Sequence, residues 1–299
     1  MSGRGWVLFS ALSLMWGVPY LLIRVAVVDF DPLIVAFGRT LLGALLLLPL
    51  ALRRDALRPV LRHWKVLLVY TVVEIVGPWW LLGQAETRLN SSTAGLIIAV
   101  VPLIAAVILA ATGDDRFGPR RVLGLLLGFA GVAALVGLDV RLEDAAAIGA
   151  LLLVTIGYAI GPIIVSRRLS DVPAIGVITW SLVISAVVYA PFAPFVWPTR
   201  LSVDAGLAVV ALAVVCTAGA FLVMFALIAE VGPSRMTLIT YINPAVAITL
   251  GALVLDEPLT VGIAIGFPLV IIGSILGTSR TKDAAPPAES VGVATEEAR

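Results

Sequence analysis

From Trp6 to Thr278 the chain alternates between apolar runs of about 20 residues, the length a membrane-crossing helix needs, and short polar connections. Ten runs qualify: 6–28, 33–52, 64–87, 92–111, 119–137, 146–166, 173–195, 203–228, 234–254 and 260–278. The pattern predicts an all-α integral membrane protein of ten transmembrane helices, with neighbours antiparallel because the connections are short. Pro32, Pro119 and Pro173 fall near helix starts, where a missing N–H is tolerated. The first run exceeds the apolar core of a secretory signal, about 7–15 residues, and no convincing cleavage site follows it, so it is expected to persist as a helix. After Thr278 the sequence turns polar and rich in Pro and Ala, and residues 279–299 are expected to form a disordered cytoplasmic tail.

Composition agrees with this pattern. Hydrophobic residues make up 61% of the chain and charged residues 13%, with a mean hydropathy of +1.10. Soluble domains run at about 45–50% and about 25%, so the solvent of this surface is lipid. The net charge of +1 conceals a sorting of charges by loop. With the N-terminus inside, 15 of the 20 Lys and Arg residues lie on the inner side, including the cluster Arg53, Arg54, Arg58, Arg62 and Lys65. Arg88, Arg141 and Arg200 lie outside, and Arg24 and Arg39 lie within helices. The positive-inside rule then predicts a cell-membrane protein with both termini cytoplasmic. No clustered basic face suggests a nucleic-acid partner. A single Cys216 and a single His63 argue against a disulfide and against a zinc centre. No metal or cofactor is expected.

The two halves of the chain are alike. A shift of 142 brings Ser92 onto Ser234, Pro102 onto Pro244, Asp114–Asp115 onto Asp256–Glu257, Gly124 onto Gly266, Gly131 onto Gly273 and Trp16 onto Tyr158. Near the second helices the shift is 141, pairing Pro32 with Pro173. Such a near-constant offset predicts a duplication, with repeats at 6–137 and 146–278. Five helices per half is an odd number, so the second half enters the membrane from the opposite side. Inverted repeats of this kind place a substrate site near mid-membrane between the halves. The duplication is compatible with a functional monomer.

The stretches "LSLMWGVPYLLIRVAV", "DPLIVAFGRTLLGALLLLPL" and "STAGLIIAVVPLIAAVI" resemble the first half of the EamA-like family of the drug/metabolite transporter superfamily. "ALIAEVGPSRMTLITYINPAVAITLGALVLDEPLTVGIAIGFPLVIIGSIL" resembles its second half, including the acidic residue–Pro–Leu–Thr step before the last helix. The resemblance spans roughly residues 6–278. It implies two EamA-like five-helix repeats and a transporter of small metabolites or drugs, often proton-coupled and here expected to be an exporter. Many members of that family lack an acid at the position of Glu74, so its role does not follow from the resemblance.

Glu74 is the conspicuous polar residue. In "LLVYTVVEIVGPWWLLGQ" it is about ten residues into the third helix, roughly 15 Å deep at about 1.5 Å per residue. An ionised group there costs about 2.5–3.5 kcal/mol on insertion scales. As a functional group it is a proton carrier or a ligand for a cationic substrate. As a structural group it pairs with Arg39, the one cation at similar depth, or bonds backbone freed by Pro78. Arg39 by itself reads as structural. Pro78, Pro102, Pro162 and Pro244 are expected to kink their helices, and broken helices near the midplane often line transport sites.

Aromatic and hydroxyl residues supply the rest of a candidate substrate pocket. Trp16 and Tyr20 share one face of the first helix, Tyr158 takes the equivalent place in the sixth, and Thr237, Tyr241 and Asn243 fall on or beside one stripe of the ninth. Each also has an ordinary packing reading: helix contact or interface anchor for the aromatics, an interhelical hydrogen bond for Asn243, lipid or core contact for Trp79 and Trp80. Arg24 is expected to reach the headgroups. Asp114 and Thr260 are placed to cap helix starts. Glu86 and Glu230 are expected to be solvated.

Three function classes compete. An intramembrane enzyme would need clustered nucleophiles, bases or metal ligands, and no such motif is present. A scaffold without transport predicts that Glu74 and Trp16 are dispensable. A secondary transporter working by alternating access fits best. With no P-loop in the sequence, energy would come from an ion gradient or the solute's own gradient, and the expected partners are a small-molecule substrate, the lipid bilayer and protons.

Overall fold

The protein is described here from a computed structural model covering residues 1–113, 118–232 and 236–278. The tail assigned to 279–299, the cap assigned to Asp114 and the repeat mate Ser234 lie outside the described residues, as does the side chain of Thr237. The described residues are helical, with no strand among them. Among the described residues, eight helical spans are long and apolar enough to cross a membrane: α1 (Gly3–Ala26), α2 (Pro32–Arg53), α3 (Leu57–Glu86), α4 (Ser91–Ala111), α5 (Pro119–Asp139), α6 (Ala145–Arg168), α8 (Val203–Val231) and α10 (Val261–Thr278). Two shorter apolar helices, α7 (Ala174–Tyr189) and α9 (Leu238–Val254), complete the order.

Local chemistry sets the ends and the breaks. Asp31 accepts a hydrogen bond from Leu33 N (2.8 Å) and Pro32 opens α2. Thr260 accepts from Ile263 N (3.2 Å) at the start of α10, the capping role expected of it. Helices α1, α4 and α9 are interrupted at Val18, at Ala99–Val100 and at Ile242, each time just before Pro19, Pro102 or Pro244 reopens a helix in its first turn. Proline fits there because the first-turn N–H groups have no intrahelical partner. Pro162 behaves otherwise: α6 runs through it from Ala145 to Arg168 without interruption.

Helices α3 and α8 each contain a π-helical turn, at Val72–Val76 and Val214–Gly219. The second begins 142 residues after the first, the offset of the sequence repeat. Such a turn carries one extra residue and widens the helix locally. A glycine follows at equivalent places: a methyl on Gly77 would sit 3.2 Å from Val72 O, and one on Gly219 would sit 2.9 Å from Val214 O. In α3 the next residue, Pro78, cannot donate to the carbonyl of Glu74, which removes a bond that would tighten the turn. In α8 that place is Ala220, so proline is not required for the bulge.

The dominant packing pairs are α5 with α10, α2 with α7, α4 with α9, α3 with α6 and α1 with α8. Adding five to each helix number, and counting past ten from one again, returns the same set. The α5/α10 pair is built on glycines: a methyl on Gly124 would sit 2.7 Å from Gly273 O, and one on Gly131 would sit 2.9 Å from Gly266 O. Small residues let membrane helices approach backbone to backbone, where packing replaces the hydrophobic effect that lipid does not supply.

The core is unevenly divided along the bundle. At the end bearing the α1–α2, α3–α4 and α9–α10 connections, one continuous core joins residues of nine helices, from Ile23 and Val35 to Leu96, Val154, Leu212 and Val270. Toward the end bearing the N-terminus the core splits. One cluster holds Leu47, Leu67, Leu169 and Leu182 of α2, α3 and α7 and the α6–α7 junction. Another holds Phe9, Leu12, Leu227 and Ile239 of α1, α8 and α9.

Candidate functional site

The π-turn of α3 places Glu74 against α6. One carboxylate oxygen, Oε2, is fully enclosed and accepts no hydrogen bond. It occupies the notch left by Gly161, where a methyl would collide with the carboxylate and lie 2.7 Å from Glu74 Cδ. One turn earlier on α6, Gly157 lies against the carbonyl of Val73, and a methyl there would be 2.9 Å from Pro78 Cγ. Two glycines four residues apart on one face thus let α6 seat on the widened turn. The turn is also tied to α7: Tyr189 donates its hydroxyl to Val76 O (2.6 Å), and Thr71 bonds Ser181 Oγ (3.0 Å).

Arg39 does not pair with Glu74. Its Nε donates to Thr217 Oγ1 (2.8 Å), and its Cζ lies 3.7 Å from the centroid of the Trp79 ring. Thr217 belongs to the π-turn of α8 and itself donates to Leu212 O (2.8 Å). A hydroxyl acceptor and an aromatic face together accommodate the buried guanidinium, which leaves the acid free of its expected structural partner. Backbone freed by Pro78 does not hold it either. The two π-turns therefore carry different chemistry at equivalent positions, Glu74 in α3 and Cys216 in α8.

Several of the aromatics gather round this centre. Tyr158 lies within electrostatic reach of Arg39, Glu74 and Glu86, and Tyr20 within reach of Arg39, Tyr158 and Glu86. Tyr20 packs its ring 3.6 Å from where a methyl of Gly95 would be. Trp16, half-buried, meets Phe221 edge-on at 6.1 Å, next to the separate cores of the N-terminal end. The α9 residues turn elsewhere. Tyr241 shares a hydrogen bond with Thr278 Oγ1 (2.5 Å) on α10, and the side-chain amide of Asn243 lies 3.0 Å from Ile239 O and 3.2 Å from Ser13 O, where its NH2 group, turned toward them, donates to both. Trp79 is buried under Arg39, whereas its neighbour Trp80 is exposed on the outside of the bundle.

Two expectations from the sequence are corrected. Glu86 is not solvated: it is completely buried, and neither carboxylate oxygen accepts a hydrogen bond. Arg24 reaches across to α3 rather than out to headgroups, donating to the main-chain carbonyl of Glu86 (2.5 Å). Glu257, the acidic residue of the Pro–Leu–Thr step before the last helix, caps α4 by accepting from Ser91 N (2.7 Å), Ser92 N (3.0 Å) and Ser92 Oγ (2.5 Å). No group of three or more His, Cys, Asp or Glu side chains suited to a metal occurs among the described residues.

The sequence pattern of the EamA-like transporter family matches the chain twice, at residues 3–137 and 145–279. The chain is 27% identical over 299 residues to the uncharacterized transporter YvbV of Bacillus subtilis (strain 168), covering 96% of this chain and 95% of that one. It is 21% identical to the uncharacterized transporter YoaV of the same organism, over 90% of this chain and 94% of the relative. A protein crystal structure at 20% identity superposes with a TM-score of 0.67, covering 93% of this chain and 97% of the other, and establishes likeness of fold.

Proposed function

We propose, from the premise that this chain belongs to the EamA-like transporter family, that it exports small organic metabolites or drugs across the cell membrane by alternating access coupled to protons. In this reading the chain crosses the membrane ten times as two inverted five-helix repeats, 6–137 and 146–278. Both termini, with the tail at 279–299, are cytoplasmic. The double match of the family pattern, the equivalent π-turns and the packing set that repeats every five helices support that architecture. The charge asymmetry of the connections supports the orientation.

The observation that carries the mechanism is the enclosed, unpartnered Oε2 of Glu74, in the π-turn of α3 where it packs on α6. A carboxylate without donors is poorly stabilised when ionised in an apolar setting, so it exchanges a proton or engages a cation as its surroundings change. The single core at one end and the divided core at the other support a state closed to the outside and parted toward the cytoplasm. Closing the cytoplasmic side and parting the outer core would carry Glu74 from one solution to the other. Substrate contacts Trp16, Tyr20 and Tyr158 and competes with the proton on Glu74, while Tyr241 and Asn243 hold α9 to its neighbours.

The test is a comparison of the wild type with Glu74→Gln at matched membrane levels, profiling solutes in the medium by mass spectrometry. The expected result is one solute class that accumulates outside with the wild type and not with the variant. Its dependence on external pH then separates proton coupling from direct cation binding. Equal export by both proteins would make Glu74 a structural residue. An unchanged medium with either protein would overturn export and leave import or a role without transport.

A further inference from the structure

Glu74 is not the only acid with an enclosed, unpartnered carboxylate oxygen. Glu86, the last residue of α3, lies twelve residues further along the same helix and is fully enclosed, with both carboxylate oxygens unbonded. The proposed function gives it no role. A structural carboxylate at a helix end normally collects hydrogen bonds, and Glu257 nearby shows this, with three donors from Ser91 and Ser92. Glu86 has none.

Its surroundings are asymmetric. Among the described residues, the titratable or charged groups facing it are Arg24 and Tyr20 from α1, Tyr158 from α6, and Glu257 from the α9–α10 connection. Glu257 is held in place by its cap bonds. Arg24 is a movable cation on a flexible stem, now resting on the main-chain carbonyl of Glu86 rather than on its carboxylate. Beyond Arg24 opens a pocket of about 520 Å³, lined by Arg24, Asp29, Asn90, Asp204, Asp256 and Glu257. Arg24 therefore touches both the pocket and the backbone of Glu86.

We propose that Glu86 is a second proton-binding carboxylate of this protein, exchanging its proton with the outer pocket under the control of Arg24. With the proton on Glu86, the guanidinium rests on the backbone carbonyl, as observed. When the proton leaves toward the pocket, a short swing brings the guanidinium from carbonyl to carboxylate, and a charge-assisted pair takes the place of the O–H bond. The balance is simple: one proton leaves Glu86 for water in the pocket, one carboxylate forms, and Arg24 stays charged throughout. Glu257 keeps Glu86 from losing its proton unless Arg24 moves, because two carboxylates sharing a site oppose joint ionisation. The inference does not depend on Glu74.

The full-length protein in lipid nanodiscs, titrated with pH and followed by infrared spectroscopy, tests this. We expect a protonated-carboxyl band that fades as pH rises and a component of it that is missing in Glu86→Gln and retained in Glu74→Gln. In Arg24→Gln that component should persist to higher pH, by about 1–3 pH units, the range by which a close opposite charge moves a carboxyl. A Glu86→Gln spectrum identical to wild type at every pH would overturn the proposal. So would a Glu86 component that never fades. If only Glu74→Gln removes the fading band, this inference fails while the transport reading stands. Should Glu86→Gln not fold, the Arg24→Gln titration on native Glu86 decides: a moved band supports the proposal and an unmoved one overturns it.

Discussion

The carboxylate of Glu74 and the bare Cα of Gly161 share one small volume: the acid fills the notch that any side chain at residue 161 would occupy. Gly161→Ala should therefore push Glu74 out of its place while leaving its chemistry intact. Overpacking of this kind costs about 1–3 kcal/mol, and solute export should fall toward the level of Glu74→Gln. Gly149→Ala is the control, since nothing lies within 4 Å of that position on the same helix. Export by Gly161→Ala equal to that of the control would show that the seating of Glu74 is immaterial.

Arg39 joins the two halves of the chain through Thr217, and that bond can be weighed. Hydrogen bonds to charged groups contribute about 1.5–3 kcal/mol. Arg39→Lys and Thr217→Val should each destabilise the purified protein, and the double variant should lose less than the sum, because both remove the same bond. Lys also lacks the flat cation that lies over Trp79. Unfolding in detergent, compared across the four proteins, reads the coupling. Simple additivity would mean that the bond between α2 and the π-turn of α8 contributes nothing.

Much of this fold is legible in the sequence because lipid imposes strong constraints. Apolar runs as long as a bilayer core is thick mark the helices, and a near-constant offset of 141–142 marks the repeat. The helix breaks before Pro102 and Pro244 follow from proline's missing donor. What the sequence conceals is rotation and reach. Glu74 and Arg39 lie at similar depth, yet depth does not say that Arg39 turns to Thr217 and Trp79. Glu86 has the composition of a solvated helix end, yet it is fully buried, with Arg24, distant in sequence, bonded to its main-chain carbonyl. The same offset aligns Glu74 with Cys216 and points to the second π-turn.

The α5/α10 seam should be the part of the bundle least tolerant of added volume. Gly273 lies against Gly124 and Gly128, with a methyl at 273 only 2.6 Å from Gly124 O. Backbone cannot yield as a side-chain tip can, so Gly273→Val should part the helices and lower the melting temperature sharply. Gly137→Val, on α5 but with nothing within 4 Å, should change it little. Melting in detergent followed by intrinsic tryptophan fluorescence distinguishes them. Similar behaviour of the two variants would mean that the seam does not hold the bundle together.

Glu257 closes the start of α4 from the far end of the chain. A helix leaves its first N–H groups without internal partners, and their positive end of the macrodipole favours an anion. Here the α9–α10 connection supplies one, whose two oxygens take the amides of Ser91 and Ser92. Asp256, at φ 52°, turns the chain so that the next side chain points back toward α4. Glu257→Ala should strand buried donors, at about 1–3 kcal/mol for each group left unsatisfied, and Glu257→Gln should cost less because one acceptor oxygen survives. The loss should appear locally as faster amide hydrogen exchange in peptides covering residues 88–98, with exchange in α6 unchanged. Exchange at the start of α4 that is indifferent to both substitutions would show that the cap is not what fixes this end of the helix.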